Sequence, residues 1–165
     1  MNDIELIQSG LRLFFVENCE IIHIINNSRS NEKRYISFAM AGGQLRIVIK
    51  MYSSSYVDSL RIHSWQRLAD IYRKEGIVTP QFLPSLSGKI VEAVMIEDET
   101  YYVWVEEYIP SKYQLGKRIK LEEQSLFVFN RIGQMKGKMH RLAFENQIKC
   151  DWASPRRLFA GEFYC

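Results

Sequence analysis

Lys50 stands near the end of the strand-like run "LRIVIKMY", residues 45–52, with Ile49 and Met51 on either side. Strands buried in sheets seldom place a charge among apolar neighbours, because an unpaired buried ammonium is strongly unfavourable. Strand side chains alternate between faces, so Arg46, Val48 and Lys50 share one surface. Leu45, Ile47 and Ile49 share the other, which is expected to pack on the core and on the helix that follows. Val48 therefore lies one step from Lys50 on the same side. A flat apolar group could rest on Val48 while an anion meets Lys50, and adenine with its phosphates would satisfy both. The competing reading is a surface lysine whose stem covers apolar neighbours while its ammonium reaches water.

Other residue types with chemical potential form no comparable arrangement. His23, His63 and His140 are the only histidines, and none is followed by Gly-Asp. No cluster has metal-ligand spacing. Glu122 and Glu123 fall near the start of an expected helix, where they favour its dipole; they are not read as a catalytic pair. Gly133 and Gly137 have G-x-x-x-G spacing on a helix too polar for a membrane, and are read as allowing close helix packing.

Composition bounds the function classes. With 165 residues, 47% hydrophobic and 13% aromatic, the chain can bury a core and is not of disordered composition. A net charge of +3, spread along the chain without a dense Lys/Arg stripe, argues against nucleic acid as a partner. Cys19, Cys150 and Cys165 are odd in number, widely spaced and without a C-x-x-C, as expected in a reducing compartment. The N-terminal stretch is acidic and amphipathic, unlike a signal peptide, and no apolar run approaches the ~20 residues of a membrane span. The expectation is a cytoplasmic protein without a membrane partner.

The elements that must position Lys50 follow from periodicity. Ile4, Leu6, Ile7, Leu11 and Phe14 predict a first amphipathic helix. Three strands follow in "CEIIHIIN", "KRYISFAMA" and "QLRIVIKMY", with "AGGQ" as a tight turn in which Gly42 and Gly43 can take positive φ. A capping signature at Ser55 and Asp58 opens a long helix with Val57, Leu60, Leu68 and Ile71 on its apolar stripe, ended by Gly76. "KIVEAVMIE" and "YYVWVEEYI" form a second hairpin through "DET". After Pro110 and the loop "SKYQLGK", a last helix carries Leu126, Phe129, Ile132, Met135, Met139 and Leu142. Hairpins imply an antiparallel sheet with one inserted helix, an α+β fold. No G-x-G-x-x-G or Walker loop is present.

Taken in order, these stretches resemble the N-terminal lobe of a kinase, most closely the aminoglycoside phosphotransferase and choline kinase-like family. The resemblance rests on "RYISFAMAGGQLRIVIKMY", "WQRLADIYRKEGIVTPQFLPSLSGK", "VWVEEYIP" and "IGQMKGKMHRL", and spans roughly residues 10 to 145. It implies a kinase-like nucleotide-binding lobe with a five-stranded sheet over residues 1–110. Residues 111–165 would be a linker and the first part of a helical C-terminal lobe. It implies that Lys50 meets the α- and β-phosphates of ATP and that Val48 forms part of the adenine ceiling. Ser28 and Ser30, in the loop "NNSRSN", would lie over the phosphates. Glu106, Glu107 and Tyr108 would be the hinge whose backbone meets the adenine edge. His140 would be structural, and Trp104 and Trp152 would be core or lobe-interface residues.

Two departures qualify what the resemblance implies. The family's lysine pairs with a glutamate on the following helix, and the counted position holds Trp65, with Gln66 beside it. The family's H-G-D-x-x-x-x-N loop and later metal-binding Asp, which serve Mg-ATP, do not occur here. The chain is therefore expected to be the ATP-binding portion of a small-molecule phosphotransferase, inactive alone and without metal ligands of its own. The alternative is a freestanding non-catalytic nucleotide-binding or regulatory module. The apolar stripe over residues 121–145 would face a missing C-terminal lobe or a second copy.

Overall fold

The structure, a computed structural model, describes residues 2–110 and 123–148. The loop "SKYQLGK", Trp152, Cys150, Cys165, Glu122 and the side chains of Glu123, Leu126 and Phe129 lie outside that description. Helix α1 is Asp3–Leu11, followed by strands β1 (Glu20–Asn26), β2 (Arg34–Ala41) and β3 (Leu45–Ser53). Helix α2 is Ser59–Lys74, then come β4 (Phe82–Leu83), β5 (Glu92–Ile96), β6 (Glu99–Glu107) and helix α3 (Glu123–Glu145).

The described residues fall into two compact units. The first comprises residues up to Asp70 together with Thr79–Ile109; the second groups Ile71–Val78 with α3. Ile71–Val78 are the last turn of α2 and its exit.

The first unit is an antiparallel sheet in the order β1-β2-β3-β6-β4, with β5 also paired to β6. It is the α+β kinase-like lobe expected, with six strands in place of five. The sixth arises because Phe82 and Leu83 oppose Glu106 and Val105, while β5 resumes with Glu92 opposite Val103. Residues 84–91 leave the sheet where one residue would have opposed Trp104. Pro80 and Pro84 bracket β4 and limit it to two residues.

Each face of the sheet has its own core. Leu6, Ile7 and Leu11 of α1, with Phe14 just beyond it, pack on Ile47, Ile49, Met51, Val103 and Val105. A Cβ at Gly10 would come within 2.7 Å of Met51 Sδ and 3.2 Å of Val103 Cγ1, so glycine sets how closely α1 approaches. The opposite face carries Ile36, Tyr52 and Trp104, covered by Val57, Ile62 and Ala69. Here an expectation is corrected: α2 covers the Val48–Lys50 face, and α1 covers the Ile47–Ile49 face. Both faces of β3 are apolar enough to attract a helix, so alternation alone could not say which.

Helix α2 also begins later than its capping signature predicts. Asp58 is the cap, accepting from Arg61 N at 2.7 Å. Ser55 instead donates to Asn31 O at 2.8 Å. The buried stripe is Ile62, Leu68, Ala69 and Tyr72, whereas Leu60 is 77% exposed. At its end, Gly76 takes φ 76°. Gly76 N donates to Arg73 O and Ile77 N to Tyr72 O, the paired bonds of a Schellman stop.

In the second unit, Tyr72 Oη donates to Met139 O at 3.1 Å, and Lys138 Nζ to Glu75 O at 2.6 Å. Leu142 is buried on α3, Ile132 and Met139 are half-buried, and Met135 and Phe127 are exposed. No helix among the described residues is long and apolar enough to cross a membrane.

Candidate nucleotide site

The strands β3 and β6 bring the candidate residues to one face. Val48 opposes Glu106 and Lys50 opposes Trp104 across the antiparallel pair. With period-2 alternation, Val48, Lys50, Trp104 and Glu106 all point to the α2 side. The register through β2 adds Phe38 beside Val48 and Ile36 beside Lys50.

Lys50 is 6% exposed and Glu106 is 5% exposed. Lys50 Nζ lies 3.0 Å from Glu106 Oε1, which makes a charge-assisted hydrogen bond inside the lobe. The same oxygen accepts from Trp104 Nε1 at 2.7 Å. The lysine ammonium also sits 5.8 Å from the centre of the Trp104 ring. Trp104 is fully buried, with Tyr52 edge-on at 4.9 Å and Trp65 tilted against it at 5.8 Å.

Lys50 therefore has a carboxylate partner, but on a strand. The helix position counted for a glutamate holds Trp65, which packs on Trp104. The acid comes from β6, one step along from the residue opposite the lysine. A usable signal lay in the sequence: in "VWVEEY", Trp104 and Glu106 share a face by alternation, and pairing of β6 with β3 places that face beside Lys50.

The other expected site residues are placed as follows. Val48 is half-buried, with Phe38 half-buried beside it and Tyr108 edge-on to Phe38 at 6.0 Å. Phe38 was not singled out from sequence. At the strand end, Glu107 N donates to Gln81 O at 2.8 Å and Tyr108 N to Arg46 O at 3.1 Å. These two backbone donors are therefore engaged within the sheet. Glu106 enters through its side chain, a contribution distinct from the backbone contact expected of a hinge residue.

The loop "NNSRSN" is tied down locally. Ser28 N donates to Asn26 Oδ1 and Ser28 Oγ accepts from Arg34 N, each at 3.0 Å. Arg29 and Glu32 close a turn on each other's backbone around Ser30, whose φ is 32°. Lys33 N donates to Ser53 Oγ at 3.0 Å, which anchors the loop to the end of β3. Ser30 is exposed at the loop tip.

His23, His63 and His140 are all exposed. Among the described residues, no group of three or more His, Cys, Asp or Glu side chains could hold a metal ion. Away from the sheet face, Ser85 and Ser87 donate to Glu92 Oε1 and hold its carboxyl below the ordinary value, Ser85 contributing most. Burial, then the hydrogen bond to Glu99, pushes the Tyr101 phenol well above its ordinary value.

A small antiparallel sheet with one helix inserted after its third strand is the architecture of a kinase-like lobe. Solved structures agree on the fold. An amicoumacin kinase, hAmiN, solved with AMP-PNP, Ca2+ and Ami, superposes with a TM-score of 0.60 at 16% identity, covering 86% of this chain and 40% of that one. A microcompartment-associated aminopropanol kinase gives a TM-score of 0.51 at 17% identity, covering 65% of this chain and 32% of that one. The chain thus spans well under half the length of either kinase. No protein-family model matches the sequence, and no curated protein matches it.

Proposed function

We propose that this chain is the ATP-binding portion of a small-molecule phosphotransferase of the aminoglycoside phosphotransferase and choline kinase-like class, working in the cytoplasm. The observation that supports it most is the buried Lys50, paired with a carboxylate and one step along β3 from half-buried Val48. It sits in a lobe folded as in a kinase solved with AMP-PNP. On this reading adenine lies against Val48 and Phe38, the strand end at Glu107–Tyr108 borders its edge, and Lys50 faces the phosphates. Ser28 and Ser30 lie on the phosphate side. With no H-G-D-x-x-x-x-N loop in its sequence, the chain alone binds nucleotide without transferring the phosphoryl group.

Calorimetric titration with ADP and AMP-PNP tests this. The chain should bind both, and Val48→Asp should weaken binding by about tenfold or more, because a carboxylate would meet the base. Absence of binding to the unaltered chain would overturn the reading.

A non-catalytic nucleotide-binding or regulatory module is the second reading; it is favoured by Trp65, packed on Trp104, standing at the position counted for the family's helix glutamate. ATP-dependent phosphorylation of an aminoglycoside or amino alcohol by the purified chain would contradict both. The partner surface on either reading is α3, where Phe127 and Met135 are exposed; a second copy docking there would appear as a dimer in sedimentation.

A further inference from the structure

Beyond Lys50, the same face of the sheet carries a second cation. The register sets side chains in rows: Phe38, Val48 and Glu106, then Ile36, Lys50 and Trp104, then Arg34, Tyr52 and Tyr102. Successive rows on one face are two residues, or about 7 Å, apart. Arg34 thus lies one row past Lys50, on the side away from Val48, at the exit of the loop "NNSRSN". Its contacts place it on that face independently. The guanidinium sits 4.6 Å from the centre of the Tyr56 ring, and Tyr56 is edge-on to Tyr52. Arg34 is half-buried. Among the described residues no carboxylate pairs with it, and its buried Nε has no hydrogen-bond partner. A buried N–H left without an acceptor is unfavourable, and the guanidinium stays charged throughout the physiological pH range. The backbone of Arg34, by contrast, is fixed. Arg34 N donates to Ser28 Oγ and Lys33 N to Ser53 Oγ, each at 3.0 Å. With its root held and its head on an aromatic ring, this side chain can turn to an incoming anion without breaking a hydrogen bond.

We propose that Arg34 is a specificity-determining residue that binds the terminal phosphate of a nucleoside triphosphate. This rests on the nucleotide reading above and deepens it. With the base against Val48 and Phe38 and the inner phosphates at Lys50, the next phosphate out falls in the row of Arg34. The loop leading into β2 holds no glycine, and Ser28 Oγ is already engaged by Arg34 N. A guanidinium can take two oxygens of one phosphate at once, an arrangement stronger than a neutral hydrogen bond. Turning to that phosphate gives Nε the acceptor it lacks and the charge the counter-charge it lacks. The site therefore prefers a triphosphate to a diphosphate or a nucleoside.

The test is calorimetric titration of the full chain with adenosine, ADP and AMP-PNP, in EDTA so that no divalent cation competes for the phosphates. The unaltered chain should bind AMP-PNP about tenfold or more tighter than ADP. Arg34→Met keeps an apolar stem on Tyr56 and removes the charge. It should bring AMP-PNP to within about threefold of ADP while leaving ADP and adenosine unchanged. An arginine that only covers Tyr56 would give a different result: no change, or an equal loss for all three ligands. Either of those outcomes, or AMP-PNP no tighter than ADP in the unaltered chain, would overturn the proposal and leave the nucleotide reading standing. If Arg34→Met fails to fold, the Arg34 Nε–H resonance of the unaltered chain decides. AMP-PNP should shift it, and adenosine and ADP should not; a resonance that AMP-PNP leaves in place overturns the proposal. No binding of any of the three ligands to the unaltered chain would overturn both readings.

Discussion

Glu106 Oε1 lies 3.0 Å from Lys50 Nζ, with both side chains under one-tenth exposed and 56 residues apart in sequence. Breaking such a pair from one side leaves a buried charge uncompensated, whereas removing both charges together does not. Glu106→Ala should therefore destabilise the lobe by about 3–5 kcal/mol, with the orphaned Trp104 N–H adding to the loss. Lys50→Met/Glu106→Gln should lose clearly less than the sum of its single variants. Urea unfolding of Glu106→Ala checks the first value, and that of the unaltered chain, Lys50→Met, Glu106→Gln and their double variant, read as a double-mutant cycle, checks the second; additive losses in the cycle would mean that the two groups do not interact.

Helix α1 approaches β3 and β6 only because residue 10 has no side chain. Gly10→Val would drive branched carbons into Met51, Ile49 and Val103, all fully buried. It should destabilise by about 2–3 kcal/mol by overpacking, read as a lower denaturant midpoint.

The turn between β5 and β6 places Glu97 at φ 49° and Asp98 at φ 64°, a primed two-residue hairpin built without glycine. Asp98→Gly should stabilise by about 0.5–1 kcal/mol, a rise in Tm of a few degrees in a scan. A fall in Tm would show that the Asp98 side chain contributes more than its backbone strain removes.

Glu92 ties the two ends of the excursion at residues 84–91 through Ser85 and Ser87. Its carboxyl is held below the ordinary value near 4.5, first by Ser85, then by Ser87. A depressed carboxyl stabilises the fold above its unfolded value and loses that contribution as pH falls through its folded value. Stability of the unaltered chain should therefore decline as pH drops below about 4.5, and Glu92→Gln should flatten that part of the curve. Melting temperatures between pH 3 and 7 for the two proteins would show it.

Much of this lobe was legible in the sequence, for local reasons. Glycines 42 and 43 marked the β2–β3 turn and do take positive φ. Gly76 marked the end of α2, and alternation placed Val48 with Lys50. The missing parts were questions of which surface meets which. Ser55 and Asp58 both look like caps; only the tertiary bond from Ser55 to Asn31 O separates them. The face of β3 covered by α2 depended on where α1 docks, a close approach that Gly10 permits and that no local pattern announces. Glu106 was read by its backbone because it falls at a strand end. Its side-chain role emerged only once β6 was paired with β3 in register.

The measurement that bears most directly on the nucleotide reading is a backbone amide chemical-shift titration of the full chain with ADP. Saturable shifts clustered at Phe38, Val48, Lys50 and Tyr108, small along α1, are the predicted result. Absence of shifts at these residues at millimolar ADP, or shifts confined to other parts of the chain, would contradict nucleotide binding on this face.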